Sequence, residues 1–170
     1  MRIIGLAGWS GSGKTTLLIK LIPHFRARGL AVSTVKHAHH GFDLDQPGKD
    51  SHSHRAAGAT EVLVGSATRW ALVHELRGAA EPTLRELLRK LAPVDLVVVE
   101  GYKREPHPKL EVHRAAVGKA LLHPGDPQIV AIASDQKVRA MVPVVSLDDI
   151  EAIADIMLRH AAPLDDRENC

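Results

Sequence analysis

A chain of 170 residues is long enough for one domain with a substantial core, and 25% charged and 45% apolar residues are typical of globular proteins. The net charge of +2, without a block of like charges, argues against nucleic acid as a partner. No apolar run reaches membrane-spanning length and no signal-peptide pattern occurs, so we expect a cytoplasmic protein without a membrane partner. Its single cysteine, Cys170, excludes an internal disulfide.

The first predicted elements are a strand, a glycine-rich loop and a helix. The apolar run Ile3-Ile4-Gly5-Leu6-Ala7 is typical of a buried strand. It is followed by Gly8-Trp9-Ser10-Gly11-Ser12-Gly13-Lys14-Thr15, in which two glycines five positions apart precede Lys and Thr. Apolar residues then recur at helical spacing, which predicts a helix from about Gly13 to Arg28 that ends at Gly29. Residues 8–15 are called the glycine loop below.

The residue types of the glycine loop suit the binding of phosphate groups. Glycines allow a tight turn that brings backbone N–H groups against phosphate oxygens, and the helix N-terminus adds its unpaired N–H groups. Lys14 supplies a cation for the outer phosphates, and the Thr15 hydroxyl is placed to ligate Mg²⁺. A glycine turn that binds nothing leaves this Lys and Thr unexplained. We therefore expect a nucleoside triphosphate to contact Gly8, Ser10, Gly11, Ser12, Gly13, Lys14, Thr15 and Thr16.

The following elements alternate between strands and helices. After the first helix we expect a strand over residues 30–35, a polar loop over 36–49, a helix over 51–57 capped by Asp50, a hairpin of strands over 60–65 and 68–76, and a helix opened by residues 81–83. The second half predicts a buried strand over 94–99, an edge strand over 109–113, two strands over 128–133 and 141–145, and a last helix started by Ser146 and Asp149.

This alternation predicts an α/β protein with the three-layer α/β/α fold of P-loop NTPases. The sheet is expected to be mainly parallel, with one antiparallel hairpin added to it. We expect a single nucleotide-binding domain over residues 1–162 and a flexible C-terminal tail over residues 163–170.

A metal-binding carboxylate is expected at the end of a strand next to the glycine loop. The apolar run over residues 96–99 ends in Glu100-Gly101, and ligands gather at the carboxyl ends of parallel strands. Glu100 is therefore predicted to serve Mg²⁺, directly or through water, or to position the attacking water. A solvated carboxylate at a strand end is the alternative.

The loop after the second strand is a candidate switch segment. It contains Lys36, Lys49, Asp45 and Asp50, and its start lies on the same edge as the phosphates. Asp45 is a candidate for the water shell of Mg²⁺, and the lysines are candidates for phosphate contacts. A transition-metal site is a further hypothesis for this segment, although a solvated polar loop is the favoured interpretation of its five histidines: His37, His39, His40, His52 and His54.

The base of the nucleotide is the least determined feature. Guanine is commonly read by the carboxylate of an Asn-Lys-x-Asp segment, and no such tetrapeptide occurs in the chain. Asp135 follows the late strand 129–133 and is placed to accept hydrogen bonds from guanine. It is equally placed to cap the turn that follows, so both interpretations stay open.

Taken together, these motifs resemble those of the molybdopterin-guanine dinucleotide biosynthesis protein B (MobB) family. The resemblance extends from Ile3 to about His160. It rests on the glycine loop, Val35-Lys36-His37 with His40, Asp45-x-Pro47-Gly48-Lys49-Asp50-Ser51, Arg55-x-Ala57-Gly58-Ala59, Glu100-Gly101-Tyr102-Lys103 and Ala133-Ser134-Asp135.

The resemblance implies a GTP-binding homodimer with weak GTPase activity. Such a protein would assist the guanylyltransferase that joins GMP to molybdopterin in making the molybdenum cofactor. It also implies that the glycine loop binds the phosphates of GTP with Mg²⁺, and that Glu100 belongs to the metal or water site. The alternatives are a nickel or zinc metallochaperone GTPase, a small-molecule kinase with a lid at residues 102–104, and an interaction module stabilised by nucleotide.

Overall fold

The computed structural model describes residues 1–38 and 42–164, which form nine strands and four α-helices. The strands are β1 (Arg2–Ala7), β2 (Val32–Lys36), β3 (Glu61–Gly65), β4 (Trp70–His74), β5 (Leu96–Glu100), β6 (Lys109–His113), β7 (Ile129–Ser134), β8 (Val144–Ser146) and β9 (Ala162–Pro163). The helices are α1 (Lys14–Ala27), α2 (Asp50–Ala56), α3 (Leu84–Leu88) and α4 (Ile150–His160). The chain divides into a first unit, residues 1–37 and 86 onward, and a second unit, residues 38–85.

The first unit contains a seven-stranded, mainly parallel sheet. Its strand order is β2-β5-β1-β6-β7-β8, and all neighbours along this path are parallel. β9 pairs antiparallel with the start of β1, where Arg2 lies opposite Pro163. The carboxyl ends of β1, β2, β5, β6 and β7 consequently lie at one edge of the sheet, called the carboxyl edge below. The predicted α/β fold with a mainly parallel sheet is confirmed.

One face of this sheet is covered by α1 and α4. The two helices bury apolar residues at helical spacing: Leu17, Leu18, Leu21 and Phe25 from α1, and Ile153, Ala154 and Met157 from α4. These side chains form one cluster with alternate residues of the strands, among them Ile4, Leu6, Leu96, Val98, Leu110 and Val112. On the other face, Ile129 and Ile132 pack against connecting segments that contribute Leu121, Leu122, Val138, Ala140 and Val142.

The second unit contains the predicted hairpin. β3 and β4 pair antiparallel, with Leu63 opposite Leu72 and Gly65 opposite Trp70. The connection is longer than the expected two residues, because the N–H of Ser66 donates to the carbonyl of Arg69 at 2.8 Å and β4 begins at Trp70. α2 begins at Asp50 with Lys49 as its N-cap, so the predicted capping role of Asp50 is wrong.

The prediction of an edge strand over residues 109–113 is wrong, because β6 lies inside the sheet between β1 and β7. Its alternation of polar and apolar residues is real, yet Lys109 and Glu111 are buried as fully as Leu110 and Val112. Lys109 Nζ lies 3.1 Å from a carboxylate oxygen of Asp126. Glu111 accepts hydrogen bonds from the backbone N–H groups of residues 122 and 123, at 2.7 and 2.9 Å. These contacts compensate the burial of both charges.

Three further differences concern the ends of elements. α3 is only five residues long. The N-cap of α4 is Asp149, whose side chain accepts from the N–H of Ala152 at 3.0 Å, rather than Ser146, which ends β8. At the C-terminus, Pro163 belongs to β9 and the N–H of Leu164 donates to the carbonyl of Met1 at 3.0 Å. The rest of the predicted tail, residues 165–170, lies outside the described residues.

Over residues 1–38 and 42–164, every helix is too short or too polar to cross a bilayer.

Candidate functional site

The glycine loop connects the carboxyl end of β1 to the N-terminus of α1. Gly8, Gly11 and Gly13 have φ angles of +147°, +80° and +91°, a region that L-residues with a side chain rarely adopt. A Cβ at Gly8 would lie only 2.6 Å from both Ser12 Oγ and the carbonyl oxygen of Val112. Gly13 is the N-cap of α1 and has no side chain to cap it, so the first N–H groups of the helix stay available to an anion.

The ammonium group of Lys14 lies within the glycine loop. Lys14 Nζ donates to the carbonyl oxygens of Gly8 and Trp9 at 3.1 and 3.0 Å. Burial lowers the pKa of Lys14 from its ordinary value, the carboxylate of Glu100 opposes this, and Lys103 and Lys36 lower it further. Lys14 is therefore a cation with like-charged neighbours, and an anion placed beside it would relieve their repulsion.

Thr15 and Glu100 meet at the carboxyl edge, where the sequence placed both from the carboxyl ends of parallel strands. Thr15 Oγ1 donates to the Glu100 carboxylate, with distances of 3.1 and 3.3 Å to its two oxygens. Glu100 is the last residue of β5 and lies beside Leu6 of β1, so β1 and β5 together fix it next to α1. A hydroxyl and a carboxylate are hard oxygen ligands, and this donor set fits Mg²⁺.

An open pocket of about 420 Å³ lies over the glycine loop. It brings together seven of the predicted site residues and one lysine from the end of β2: Ser10, Gly11, Gly13, Lys14, Thr15, Thr16, Glu100 and Lys36. All of these residues belong to the first unit. The combination of positive charge, backbone N–H groups, a hydroxyl and a carboxylate suits a phosphate group and its metal ion.

Gly8 and Ser12 do not line this pocket. The Ser12 side chain is buried, and among the described residues its hydroxyl has no hydrogen-bond partner. Its backbone N–H donates to the carbonyl of Trp9 at 3.1 Å, which closes a turn within the loop. In this conformation Gly8 and Ser12 shape the loop, and their predicted contacts with nucleotide stay predictions.

Asp135 lies at the carboxyl edge, directly after β7. One of its carboxylate oxygens accepts from the N–H of Ala115 at 2.9 Å, and the other lies 4.0 Å from Nη1 of Arg114. Arg114 in turn approaches the glycine loop, because its Nε would be 2.9 Å from a Cβ at Gly13. Asp135 thus contacts the segment after β6, and base recognition by Asp135 stays a prediction.

Asp45 belongs to the second unit, where a polar network surrounds Arg55. Asp45 accepts from Ser51 Oγ at 2.7 Å and from Arg55 Nε at 3.3 Å. The hydrogen bond from Ser51 lowers the pKa of Asp45, and Arg55 adds to this effect. Arg55 also contacts Asp43 and Glu75 at 2.8 and 2.7 Å. That Asp45 contacts the water shell of Mg²⁺ stays a prediction.

The transition-metal interpretation of the histidine segment rested partly on residues outside the described part of the chain, namely His39 and His40. Across residues 1–38 and 42–164, no three His, Cys, Asp or Glu side chains are arranged to hold a metal ion. His37 instead forms a ring contact with Tyr102, with centroids 5.1 Å apart.

Comparison with known sequences decides the family. The sequence model of the family described as "Molybdopterin guanine dinucleotide synthesis protein B" matches residues 3–135. This chain belongs to that family. A molybdopterin-guanine dinucleotide biosynthesis adapter protein of Escherichia coli is 39% identical over 161 residues, which cover 92% of this chain and 91% of the relative. The adapter protein of Haemophilus influenzae is 37% identical over 158 residues, covering 91% and 86%.

Solved structures of family members share the fold of this MobB-family chain. A crystal structure of molybdopterin-guanine biosynthesis protein B matches with a TM-score of 0.70 and 26% identity, over 92% of this chain and 98% of that one. A MobB homologue from Bacillus stearothermophilus matches with a TM-score of 0.66 and 26% identity, over 94% and 97%.

Two side chains approach the glycine loop of this family member in ways that sequence reasoning did not predict. Arg114 was missed because β6 was placed at the edge of the sheet, whereas its interior position brings its carboxyl end beside Gly13. The second is Lys103, which the sequence suggested only as part of a kinase lid and of a family motif, and whose Nζ lies 5.0 Å from the centroid of the Trp9 ring. The signal for Lys103 was its place three residues after Glu100, in a loop that starts at the carboxyl edge.

Proposed function

We propose that this protein binds GTP with Mg²⁺ in the pocket over the glycine loop and hydrolyses it slowly, as an adapter in molybdopterin-guanine dinucleotide biosynthesis. The observation that carries the nucleotide part is the meeting of Lys14, Thr15 and Glu100 around that pocket. The biosynthetic part is supported by family membership and by the names of the Escherichia coli and Haemophilus influenzae relatives.

Each side chain of the pocket has a distinct task in this proposal. Lys14, already inside the loop, binds the outer phosphates together with the first N–H groups of α1. Thr15 and Glu100 hold Mg²⁺, which offsets the charge of the phosphates when it is bound. Glu100, buried at the end of β5, also orients the water that attacks the terminal phosphate.

Discrimination for guanine is assigned to Asp135 at the end of β7. A carboxylate accepts from the N1–H and N2–H groups of guanine, whereas adenine presents an acceptor in place of N1–H. The Asp135 side chain is 31% exposed, and its oxygen that accepts from the N–H of Ala115 retains a second lone pair, so the carboxylate can still accept hydrogen bonds from a base.

Calorimetric titration with GTP and with ATP, each with Mg²⁺, tests this proposal. Preference for GTP in the parent protein, with loss of that preference in Asp135→Asn, is the expected result. Equal affinity, or preference for ATP, would overturn the guanine assignment and favour the kinase alternative. Failure to bind either triphosphate would overturn the nucleotide site itself.

The partners proposed for this adapter are a second copy of the chain and the guanylyltransferase of the same biosynthetic route. The adapter names of the relatives support work alongside other proteins of molybdenum cofactor synthesis. Co-elution of the purified chain with the guanylyltransferase in the presence of GTP, and its loss in Lys14→Ala, is the expected outcome. Equal co-elution of the Lys14 variant would show that binding of the guanylyltransferase does not depend on bound GTP.

A further inference from the structure

Trp9 is a fixed aromatic platform within the glycine loop. Its indole Nε1 donates to the carbonyl oxygen of Ala120 at 2.8 Å, which sets the orientation of the ring. The same residue's carbonyl oxygen accepts from Lys14 Nζ at 3.0 Å. Trp9 as a whole residue is 38% exposed, so it is partly open to solvent. An aromatic ring at this point is not required by the phosphate-binding motif, in which this position is unrestricted.

The ammonium group of Lys103 lies over this ring. The distance from Lys103 Nζ to the ring centroid is 5.0 Å, within the range of a cation–π interaction. Lys103 follows Glu100 by three residues, and Gly101 between them has a φ of +99°, which turns the chain at the end of β5. The backbone N–H of Lys103 donates to the carbonyl of Gly101 at 3.0 Å, which holds the base of the side chain near the pocket.

Lys103 adds to an excess of positive charge around the glycine loop. Lys14 and Lys36 line the pocket, and Glu100 is the carboxylate that faces them. The pKa of Lys14 is lowered by burial first, and Lys103 and Lys36 lower it further against Glu100. Lys103 is therefore close enough to Lys14 for the two ammonium groups to repel each other. Such an arrangement is stabilised when an anion of high charge enters between them.

We propose that Lys103 is a second cation for the outer phosphates, which leaves the Trp9 ring and joins Lys14 when a nucleoside triphosphate binds. The four-carbon stem of lysine allows the ammonium group to move while the backbone stays in place. Trp9 keeps this charge beside the loop until an anion competes for it, since a cation–π contact at a partly exposed ring is weak compared with a charge-assisted hydrogen bond to phosphate.

This inference rests on the proposed nucleotide site and makes a claim beyond it. Because Lys103 would contact the outermost phosphate, its removal should weaken GTP binding more than GDP binding. A lysine that only covers the Trp9 ring would change both affinities equally, or neither. The ratio of the two affinities is therefore a readout that a purely structural role would not move.

The test is titration calorimetry of GTP and GDP with Mg²⁺ at 0.15 M salt, where charges beyond about 8 Å are largely screened. In Lys103→Gln, we expect the GTP-to-GDP affinity ratio to fall about tenfold, the size of one lost charge-assisted hydrogen bond. Lys103→Arg should recover part of the ratio. The matched control is Lys90→Gln, which removes the same charge from an exposed residue outside the pocket.

Tryptophan fluorescence tests the movement of Lys103 directly. The chain has two tryptophans, so Trp70→Phe leaves Trp9 as the single emitter. We expect GTP to change Trp9 emission more than GDP does, and Lys103→Gln to abolish this difference. A GTP-to-GDP ratio and an emission difference unchanged in Lys103→Gln would overturn the role of Lys103 while leaving the nucleotide site intact. Absence of GTP binding by the parent protein would overturn both.

Discussion

Lys14 is the residue on which triphosphate affinity should depend most directly. Its Nζ donates to two backbone carbonyls of the glycine loop, so among the described residues its removal breaks no hydrogen bond between side chains. We expect Lys14→Ala to lower GTP affinity about 100-fold, the size of a strong charged hydrogen bond, with little change in melting temperature. Titration calorimetry measures the first effect and thermal unfolding the second. Lys20→Ala, on the exposed side of α1, is the control.

Glu100 should affect hydrolysis more than binding. Glu100→Gln has the same shape and can still accept from Thr15 Oγ1, but it lacks the negative charge that serves the metal ion and the attacking water. We expect GTP affinity within a few-fold of the parent and phosphate release lowered at least about tenfold, within the usual range for loss of a general base. Phosphate release measured at saturating GTP checks this. Unchanged turnover would remove Glu100 from the mechanism.

His107 should make stability depend on pH. Burial, with Lys109 adding to it and Asp126 opposing it, lowers the pKa of His107 from 6.5 to about 4. The unfolded chain therefore takes up a proton below pH 6.5 that the folded chain takes up only near pH 4. The part of the unfolding free energy that depends on neutral His107 is fully present above pH 6.5. It is lost as the pH falls toward 4, with a decrease of up to about 3 kcal/mol.

Urea unfolding at pH 7 and at pH 4.5 measures this loss. The decrease between the two pH values should be smaller in His107→Gln than in the parent, because the amide does not titrate. The comparison within each protein separates this effect from the general cost of altering a side chain that packs against Gly5. An identical decrease in the two proteins would contradict the prediction.

At the scale of elements, the glycine loop offers a matched pair of substitutions. A Cβ at Gly8 would lie 2.6 Å from the backbone oxygen of Val112, whereas a Cβ at Gly11 would have no neighbour within 4 Å. Both glycines have positive φ, so both variants carry conformational strain. We expect Gly8→Ala to destabilise the protein by about 2 kcal/mol more than Gly11→Ala in urea unfolding, since only the former must displace backbone. Equal losses would show that strain alone matters.

The strands that form the site were predictable because their sequence patterns are local. An apolar run before Gly8 and another before Glu100 place both residues at the ends of buried parallel strands, and β1 and β5 are indeed neighbours. β6 was not predictable in the same way. Its buried Lys109 and Glu111 form hydrogen bonds with residues 11 to 17 positions further along the chain. A local sequence pattern does not predict such partners.

The same distinction holds for the candidate site. Lys14, Thr15 and Glu100 followed from a motif and from the topology of a parallel sheet, and the structure places them around one pocket. The approach of Arg114 to Gly13 depends on the interior position of β6, and the contact of Lys103 with Trp9 depends on the course of the loop after β5. Both are tertiary contacts between segments about 95 to 100 residues apart, which spacing alone does not reveal.

At the scale of the whole molecule, the hairpin of the second unit presents an unusual surface. Leu63 and Leu72 are paired across the two strands and are 65% and 44% exposed, and the neighbouring Trp70 is 69% exposed. A two-stranded sheet is marginally stable by itself, and apolar side chains on one face favour burial against a second surface. A second copy of the chain is the occupant expected here, because a two-fold axis lets the same apolar face cover itself.

We therefore predict a homodimer that depends on this hairpin. Light scattering over micromolar concentrations should give twice the mass of the chain. Trp70→Glu should shift the equilibrium toward monomer, because a charge would have to be buried in the apolar contact. Ile19→Glu, at a 64% exposed position on α1, is the matched control and should leave the mass unchanged. A monomeric parent would exclude the dimer, and a dimeric Trp70 variant would move the interface elsewhere.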